Sequence, residues 1–254
     1  MHNLKPKKYL GQHFLKDESI ARRIVDLLPP GADLQVVEIG PGMGVLTRYL
    51  ADRYPLLRLV EIDPDAVTYL KAHFSGNEPH IIHTDVLKWQ MESDLDPDVL
   101  FIGNLPYNIS SPFFFLLLDH LPYVQQGVFM IQKEVAQRIC ADKGSKTYGI
   151  LSVLLGAYFE LEYAFSVPPG AFSPPPKVMS GVIRMTRRET LPSVEFDRFK
   201  RVVKQAFGQR RKTLRNALKG LEFEAFEGQD ALFQLRAEQL DVASFLLLTE
   251  KLKA

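Results

Sequence analysis

The chain is poor in the features that mark secreted, membrane-bound or metal-binding proteins. One of its 254 residues is a cysteine, Cys140, so no disulfide can form within the chain, and a reducing compartment such as the cytoplasm is expected. The longest apolar run, 113–118, is far shorter than the roughly 18–20 residues of a membrane-spanning helix. The basic N-terminus lacks the apolar segment of a signal peptide. The six histidines show no ligand spacing with the cysteine, so we predict neither a membrane anchor nor a metal site.

Acidic residues are scarce in two segments, although the net charge of the whole chain is only +1. Residues 1–23 hold six Lys or Arg and two acids, and residues 184–219 hold twelve Lys or Arg and three acids. Two basic segments in an otherwise acidic chain favour a polyanionic partner that both segments touch. Since the sequence has no heptad pattern and no apolar surface stripe, we expect a monomer.

Strand and helix patterns alternate from residue 36 onward. Short apolar runs predict strands over 36–39, 57–62, 81–83, 99–102, 127–131, 160–167 and 178–185. Such alternation is typical of a mostly parallel sheet with helices on both faces. After Met185 the strand signals stop, and a basic helix is predicted over 196–217. We therefore predict a Rossmann-like α/β domain over 1–187 and a small all-α domain over 188–254.

A glycine-rich turn follows the first strand of this pattern. Gly40, Gly42 and Gly44 are spaced G-x-G-x-G, and glycine lets the backbone approach a ligand closely. The dinucleotide spacing G-x-G-x-x-G is not met, so pyrophosphate binding is less favoured. Glu61 ends the next strand and Asp85 the one after it, and the carboxyl ends of such strands line one crevice. We expect Glu61 to bind a ribose and Asp85 to accept from an adenine amino group.

The fourth strand runs into Asn104-Leu105-Pro106-Tyr107. Pro106 biases Leu105 toward extended geometry, so the nearby carbonyls are held in place. Fixed oxygen acceptors beside an aromatic ring suit a planar amino group such as N6 of adenine. A simple turn with a buried Tyr107 is the alternative. A glycine turn, two acids and this tetrapeptide at successive strand ends together favour a ligand crevice.

At this point the sequence resembles the ribosomal RNA adenine dimethyltransferases. The segments that carry the resemblance are 9–15, 36–44, 104–110, 132–135, 172–178 and 207–216. The resemblance runs over about residues 8–250 and implies a methyltransferase fold that uses S-adenosylmethionine. Within the family it is nearest to enzymes that dimethylate two adjacent adenosines near the 3′ end of small-subunit ribosomal RNA, in the 30S subunit or its precursor.

The resemblance also implies site residues. Those implied for the cofactor are His13, Leu15, Gly40, Gly42, Glu61, Ile62, Asp85, Val86 and Asn104. Many family members have Asn where this chain has His13, and a backbone contact would survive that difference. Those implied for the target base are Asn104, Leu105, Pro106, Tyr107 and Phe172. Tyr107 would stack on one face of the base, and Phe172 would cover the other or close on it.

RNA contacts are predicted for the basic residues Arg210, Arg211, Lys212 and Arg215. On one continuous helix, Arg211 and Arg215 would share a face with Lys212 beside them. Acids are too scarce along this helix to neutralise the charge, which favours phosphate contact over a merely solvated face. Lysines 5, 7 and 8 and arginines 22 and 23 are candidates for a second contact.

Three other functions remain open at this point. The same pocket would serve a DNA adenine methyltransferase. A relative within the family methylates large-subunit RNA and confers antibiotic resistance. A non-catalytic ribosome-assembly or nucleic-acid-binding protein could retain the fold, although the intact set of site residues argues against lost catalysis.

Overall fold

A computed structural model describes residues 6–74 and 79–253. Most of its strands form one sheet, as the alternating sequence pattern predicted. The strands are β1 (Phe14–Leu15), β2 (Val36–Ile39), β3 (Leu57–Glu61), β4 (His80–His83), β5 (Val99–Asn104), β6 (Val124–Gln132), β7 (Phe159–Val167), β8 (Phe172–Ser173) and β9 (Ser180–Arg187). The seven-stranded sheet within the described ranges has the order β4-β3-β2-β5-β6-β9-β7. A separate short sheet pairs β1 with β8, and the sequence did not predict either of these strands.

The sheet is mostly parallel, which confirms the predicted fold class. β2 pairs in parallel with β3 and β5, and β3–β4 and β5–β6 are parallel too. β9 runs antiparallel to β6. All four residues of β2 are buried, as expected of a central strand that is covered on both faces. The chain reverses its direction of winding between β2 and β5, and ligands bind at such switch points in open α/β sheets.

The helices are α1 (Glu18–Val25), α2 (Thr47–Ala51), α3 (Pro64–His73), α4 (Ser110–Asp119), α5 (Lys133–Ile139), α6 (Ile150–Tyr158), α7 (Phe196–Gly208), α8 (Leu214–Ala217), α9 (Gln229–Gln234) and α10 (Val242–Glu250). Asp17 and Asp63 cap α1 and α3 by accepting backbone N–H bonds. Ile24, Leu50 and Phe172 belong to one buried apolar core cluster. None of the helices within the described ranges is both long and apolar enough to cross a membrane.

The basic helix predicted over 196–217 is broken in the structure. α7 ends at Gly208, and α8 starts after Thr213. Gln209 leaves the helical region with φ −125° and ψ 51°. The Leu214 N–H then donates to the carbonyl of Leu235 at 2.7 Å, a tertiary bond that turns the chain away from the α7 axis. The prediction of one continuous helix was therefore wrong.

The chain divides into two compact units, Met1–Ala136 with Glu162–Arg187, and Gln137–Leu161 with Arg188–Ala254. One boundary between the units falls after residue 187, where the sequence pattern changes, whereas 137–161, which the sequence placed with the first domain, belongs to the second unit. The reason is α6, whose sequence ILSVLLGAY is apolar around almost its whole circumference. Such a helix must be covered on all sides, and α6 packs against both α7 and α10.

Candidate active site

A cavity of about 240 Å³ lies at the carboxyl ends of β2, β3, β4 and β5. Its walls include the glycine turn, the end of β3, residues 84–87 and residues 104–109, and residues 9–14 of the N-terminal segment also line it. The structure thus brings together the strand ends that the sequence singled out. Parallel strands whose carboxyl ends share one sheet edge put these distant residues side by side.

The glycine turn leaves open space where a side chain would stand. Gly40 has φ +66°, and a Cβ placed on it would meet no atom within 4 Å. Gly42 has φ +55°, and its Cβ would lie 2.8 Å from the ring of Phe14. Glycine is therefore required at both positions for conformation, at Gly42 for space as well, and at Gly40 it keeps the backbone open to a ligand.

Glu61 ties the glycine turn to the end of β3. Glu61 is 4% exposed, and its carboxylate accepts hydrogen bonds from the N–H groups of Gly42 at 3.0 Å and of Ile62 and Asp63 at 2.9 Å. Burial raises the pKa of Glu61, and the three backbone hydrogen bonds oppose that rise. Oε2 accepts one of these bonds, so it retains capacity for a ligand hydroxyl.

Asp85, Val86 and Ile62 complete this side of the cavity. Asp85 Oδ1 accepts from the Leu87 N–H at 3.0 Å and so caps the short turn after β4. Val86 is buried, whereas Ile62 is 44% exposed. Two apolar side chains and a carboxylate thus line the same side of the cavity, a composition that suits a purine ring.

Asn104 to Tyr107 form the opposite wall. Asn104 Nδ2 donates to the carbonyl of His13 at 2.9 Å, which leaves Asn104 Oδ1 as an acceptor for a ligand. The carbonyl of Pro106 already accepts from the Ile109 N–H at 3.1 Å and from the Ser110 hydroxyl at 3.2 Å. Both lone pairs of that oxygen are engaged, so the Leu105 carbonyl is the better second acceptor.

The ring of Tyr107 lines the cavity, and its hydroxyl is anchored. The hydroxyl lies 2.8 Å from Ser180 Oγ at the start of β9. Burial raises the pKa of Tyr107, while this hydrogen bond lowers it. An aromatic ring fixed at both ends of its long axis provides a flat, preorganised wall.

Comparison with known proteins agrees with this geometry. The sequence model of a protein family described as ribosomal RNA adenine dimethylase matches residues 3–253. The chain belongs to that family. The resemblance seen in the sequence motifs is confirmed.

Relatives of known name support this family assignment. The chain is 49% identical over 257 residues to a protein of Flavobacterium johnsoniae named ribosomal RNA small subunit methyltransferase A, with 100% of this chain and 98% of that protein covered. A Bacteroides fragilis protein of the same name is also 49% identical, with 100% and 94% covered.

Solved structures show the same fold. A dimethyladenosine transferase from Plasmodium falciparum matches with a TM-score of 0.81 and 25% identity, covering 93% of this chain and 96% of that one. The 23S ribosomal RNA methyltransferase ErmE matches with a TM-score of 0.71 and 28% identity, covering 94% and 99%. The likeness to both spans nearly the whole length of this dimethylase-family chain.

Two residues predicted for this site do not line the cavity. Leu15 and Phe172 face each other across the β1–β8 pair and are 4% and 1% exposed. Residues directly opposite on paired strands share a face, and this face turns into the core. Neither residue is among those that line the cavity, and the cofactor contact expected of Leu15 and the base contact expected of Phe172 stay predictions.

His13 lines the cavity, and its backbone and its ring make separate contacts. Its carbonyl receives the Asn104 amide, while its ring Nδ1 lies 2.8 Å from the carbonyl of Pro174. The ring centroid is 5.7 Å from that of Tyr107. The contact through the carbonyl of residue 13 does not depend on the side chain, so it can form with either His or Asn at this position.

Sequence reasoning missed two buried carboxylates near the site, Glu38 and Asp63. Glu38 lies beneath the glycine turn, 1% exposed, and accepts from the Thr47 hydroxyl at 2.6 Å. Burial raises the pKa of Glu38 to about 8, against the opposing hydrogen bond from Thr47. Asp63 is fully buried beside Lys7 and Gln12. Its position before Pro64 signals a helix cap, but no local pattern signals a partner 56 residues away.

The basic residues expected to bind RNA differ in how far they are already paired. Arg215 lies 2.8 Å from Asp230, and Arg210 lies 3.7 Å from Glu238. Arg211 and Lys212 are exposed and have no ion-pair partner within the described part of the chain. Because α7 ends before these residues, they lie on a turn, so the predicted shared helix face for Arg211 and Arg215 is wrong.

The N-terminal basic residues are mostly engaged elsewhere. Lys7 pairs with Asp63, the Arg22 guanidinium lies 5.1 Å from the centre of the Tyr49 ring, and that of Arg23 lies 3.9 Å from the centre of the Phe165 ring. Lys5 and the side chain of Lys8 fall outside the described residues. A second RNA contact by this segment therefore has less support than the contact by Arg211 and Lys212.

Proposed function

We propose that this protein transfers methyl groups from S-adenosylmethionine to N6 of two adjacent adenosines near the 3′ end of small-subunit ribosomal RNA. The observation that carries the proposal is the single cavity in which Asn104, Leu105 and Tyr107 face the glycine turn and Glu61. The 49% identical relatives are named small-subunit methyltransferases, which favours this RNA over others. Under the proposal the protein acts in the cytoplasm, as a monomer, on the 30S subunit or its precursor.

The residues present fit the cofactor. The open space at Gly40, where a Cβ would meet nothing within 4 Å, allows a ligand to lie against the backbone. Glu61 would bind the ribose hydroxyls, and Asp85 would accept from the adenine amino group, with Ile62 and Val86 on either face of the ring. S-adenosylmethionine would supply an electrophilic methyl group on a sulfonium.

Asn104 and Leu105 would prepare the target nitrogen. The lone pair of N6 is conjugated with the purine ring, so the free amine is a poor nucleophile. Asn104 Oδ1 and the Leu105 carbonyl would accept its two hydrogens and favour a pyramidal nitrogen. These fixed dipoles also stabilise the positive charge that develops on nitrogen, and holding the nitrogen in line with the methyl group supplies proximity. No strong base is needed, because the alkylated amine loses its proton readily.

Tyr107 would receive the base after it leaves the RNA stack. Stacking on an aromatic ring is worth about 1–3 kcal/mol per base. The bond between the Tyr107 hydroxyl and Ser180 keeps the ring from rotating away. A purine placed on this ring lies beside Asn104, so stacking and hydrogen bonding act on the same base.

Arg211 and Lys212 would hold the RNA through its phosphates, with Arg210 and Arg215 adding to them. The partner of Arg215, Asp230, has a side chain that is 96% exposed. An exposed ion pair is worth only about 0–1 kcal/mol, so Arg215 can exchange it for a phosphate. Specificity then comes from RNA shape and from the surrounding subunit surface, not from base reading by this turn.

The structural likeness to a 23S ribosomal RNA methyltransferase makes large-subunit RNA the second candidate. One experiment separates the possibilities. Labelled S-adenosylmethionine is supplied with undermethylated small subunits, large subunits, naked ribosomal RNA or DNA, and the label is mapped. We expect dimethyladenosine at two adjacent positions in small-subunit RNA. Label in large-subunit RNA or DNA instead would refute the proposed substrate, and no label anywhere would refute the proposed activity.

A further inference from the structure

The N-terminal segment is tied to the cavity wall by a buried carboxylate. The side chain of Asp63 is fully buried, and its two oxygens accept from Lys7 Nζ at 2.5 Å and from Gln12 Nε2 at 3.0 Å. Gln12 Oε1 in turn accepts from the backbone N–H of Lys7 at 2.8 Å. Through the backbone N–H of Lys7, these contacts close a ring of three residues, which we term the clasp (Lys7, Gln12 and Asp63).

The residues that follow Lys7 contact two walls of the cavity, the glycine turn and residues 104–109. We term residues 9–14 the arm, since all of them line the cavity. The Phe14 ring lies so close to Gly42 that a Cβ there would be 2.8 Å away, and a Cβ placed on Gly11 would lie 2.9 Å from Asn108 Oδ1. The arm therefore reaches from the glycine turn to residues 104–109. A shift of the arm would change both of these surfaces.

The arm also decides which way the Asn104 amide faces. An amide presents an oxygen on one side and a nitrogen on the other, and rotation by half a turn exchanges them. The His13 carbonyl accepts only from the nitrogen, and does so at 2.9 Å. With His13 in place, the oxygen of Asn104 is directed away from the arm and remains free to accept.

We propose that Lys7 and Asp63 are positioning residues, whose ion pair holds the arm over the cofactor cavity and thereby orients the Asn104 amide for the target nitrogen. The second part of this inference, the orientation of the Asn104 amide for the target nitrogen, rests on the proposed function. A buried carboxylate that loses its cationic partner is left uncompensated, so the pair is far more sensitive to loss of either partner than an exposed pair is. The second contact of Lys7, with Asp65 at 2.7 Å, strengthens the attachment at the surface.

The charge state required for the clasp is present at neutral pH. Burial by itself would raise the pKa of Asp63, but the hydrogen bonds from Lys7, Gln12 and the Asp65 N–H hold it below its ordinary value. The pKa of Lys7 is raised by its hydrogen bonds to Asp63 and Asp65. Both groups are therefore ionised at pH 7, so the ion pair forms at neutral pH.

The first experiment measures the clasp without any methyl transfer. Lys7→Met keeps the stem of the side chain and removes its charge, and Lys7→Arg restores the charge. The matched control is Arg53→Met, which removes an exposed ion pair with Asp26 in the same unit. For Lys7→Met we expect S-adenosylmethionine affinity, measured by calorimetric titration, to fall about tenfold, with partial recovery in Lys7→Arg and no change in the control.

Amide hydrogen exchange gives a second readout without substrate. In Lys7→Met the arm should exchange faster in the absence of cofactor, while β2 and β5 keep their protection. Asp63→Asn should behave like Lys7→Met. If Asp63→Asn does not fold, the Lys7 variants decide the result. Cofactor affinity within twofold of wild type together with unchanged exchange in the arm would overturn the clasp.

The second experiment asks whether the arm acts through Asn104. Single-turnover methyl transfer at saturating cofactor is compared for Lys7→Met in the wild-type and in the Asn104→Ala background. We expect the substitution to slow transfer about tenfold with Asn104 present and to have almost no effect without it, since coupled residues are not additive. Equal slowing in both backgrounds would overturn the orienting role. If the wild type methylates none of the substrates offered, the proposed function fails, yet the affinity and exchange measurements still decide the clasp.

Discussion

The carboxylate of Glu61 accepts a hydrogen bond from the backbone N–H of Gly42, 3.0 Å away and 19 residues earlier in the chain. The last residue of β3 thus holds the glycine turn after β2 in shape. Two neighbouring strand ends form one binding surface because of this bond and the parallel pairing of the strands. Substitution of Glu61 is accordingly expected to damage the turn as well as any direct contact with a ribose.

Glu61→Ala should weaken both the fold and the cofactor site. The change leaves three N–H groups, those of Gly42, Ile62 and Asp63, without an acceptor. Hydrogen bonds to charged groups contribute about 1.5–3 kcal/mol each, and solvent entering the space recovers part of that, so we expect a loss of about 2 kcal/mol in unfolding free energy. Cofactor affinity should fall at least about tenfold. Urea denaturation and calorimetric titration measure the two effects, and Glu18→Ala, on the exposed pair with Arg48, is the control.

Asn104→Ala should separate methyl transfer from cofactor binding. Loss of one positioned acceptor at a developing charge costs about 100-fold to 1000-fold in rate, whereas the cofactor keeps its contacts with Glu61 and Asp85. Single-turnover transfer and calorimetric binding are measured on the same preparation. Transfer within about threefold of wild type would show that the role assigned to Asn104 is wrong, since a positioned acceptor is worth much more.

Tyr107 offers a matched pair of substitutions. Tyr107→Phe keeps the ring and loses the hydrogen bond to Ser180, while Tyr107→Ala removes the ring as well. We expect the Phe variant to retain most activity and the Ala variant to lose about 1–3 kcal/mol of base stacking. RNA affinity and turnover are compared for both. Wild-type values of both quantities in Tyr107→Ala would remove stacking from the mechanism.

Removing Arg211 and Lys212 together should make RNA binding less dependent on salt. Each phosphate contact contributes about 0.7–0.9 to the slope of log affinity against log salt concentration. For the double alanine variant we expect that slope to be smaller by about 1.5. The control is Lys251→Ala with Lys253→Ala, which removes the same charge from residues that pair with Glu224 and Glu222. An equal change of slope in the control would mean that the salt dependence of RNA binding reflects net charge and not phosphate contacts by Arg211 and Lys212.

Glu38 should make the stability of the protein fall as pH rises. Burial raises its pKa from 4.5 to about 8 in the folded state. Between those pH values the folded chain holds a proton that the unfolded chain has released, so the free energy of unfolding decreases with rising pH and levels off above about pH 8. The slope approaches about 1.4 kcal/mol per pH unit.

Glu38→Gln keeps the acceptor for Thr47 and removes the titration. Urea denaturation of both proteins at pH 5.5 and at pH 8.5 should show a steeper loss of stability in the wild type. All other titrating groups are shared, so their contributions cancel in the comparison. If the free energy of unfolding changes with pH by the same amount in both proteins, Glu38 is ionised in the folded protein.

Local patterns were sufficient for much of the sheet. The strands over 36–39, 57–62 and 99–102 were predicted to within two residues, since short apolar runs that end at glycine or acidic residues have few other uses. The roles expected for Gly40, Glu61 and Asn104 follow from the same reasoning, because parallel strands put their carboxyl ends at one edge. The chemistry of these residues stays a prediction, but their proximity is a property of the fold.

The patterns misled where a long-range contact overrides local preference. Residues 196–217 have helical periodicity throughout, yet the bond from Leu214 to Leu235 and the end of α7 at Gly208 break the helix. Phe172 lies in the core because the β1–β8 pair turns its side chain there opposite Leu15, and the base contact expected of it stays a prediction. A periodicity describes one element and contains nothing about the partner that the element will meet.

The sequence by itself determined the alternation of strands and helices in the main sheet, the glycine turn and the polar residues that follow its first strands, and the family to which the chain belongs. These depend on neighbours within a few positions, where backbone sterics and side-chain alternation act directly. Only the tertiary structure decided that Lys7 pairs with Asp63, that the Asn104 amide donates to the His13 carbonyl and that Arg215 pairs with Asp230. Such pairs join residues far apart in the chain, and each forms only because the packed core has already brought its partners within a few ångströms.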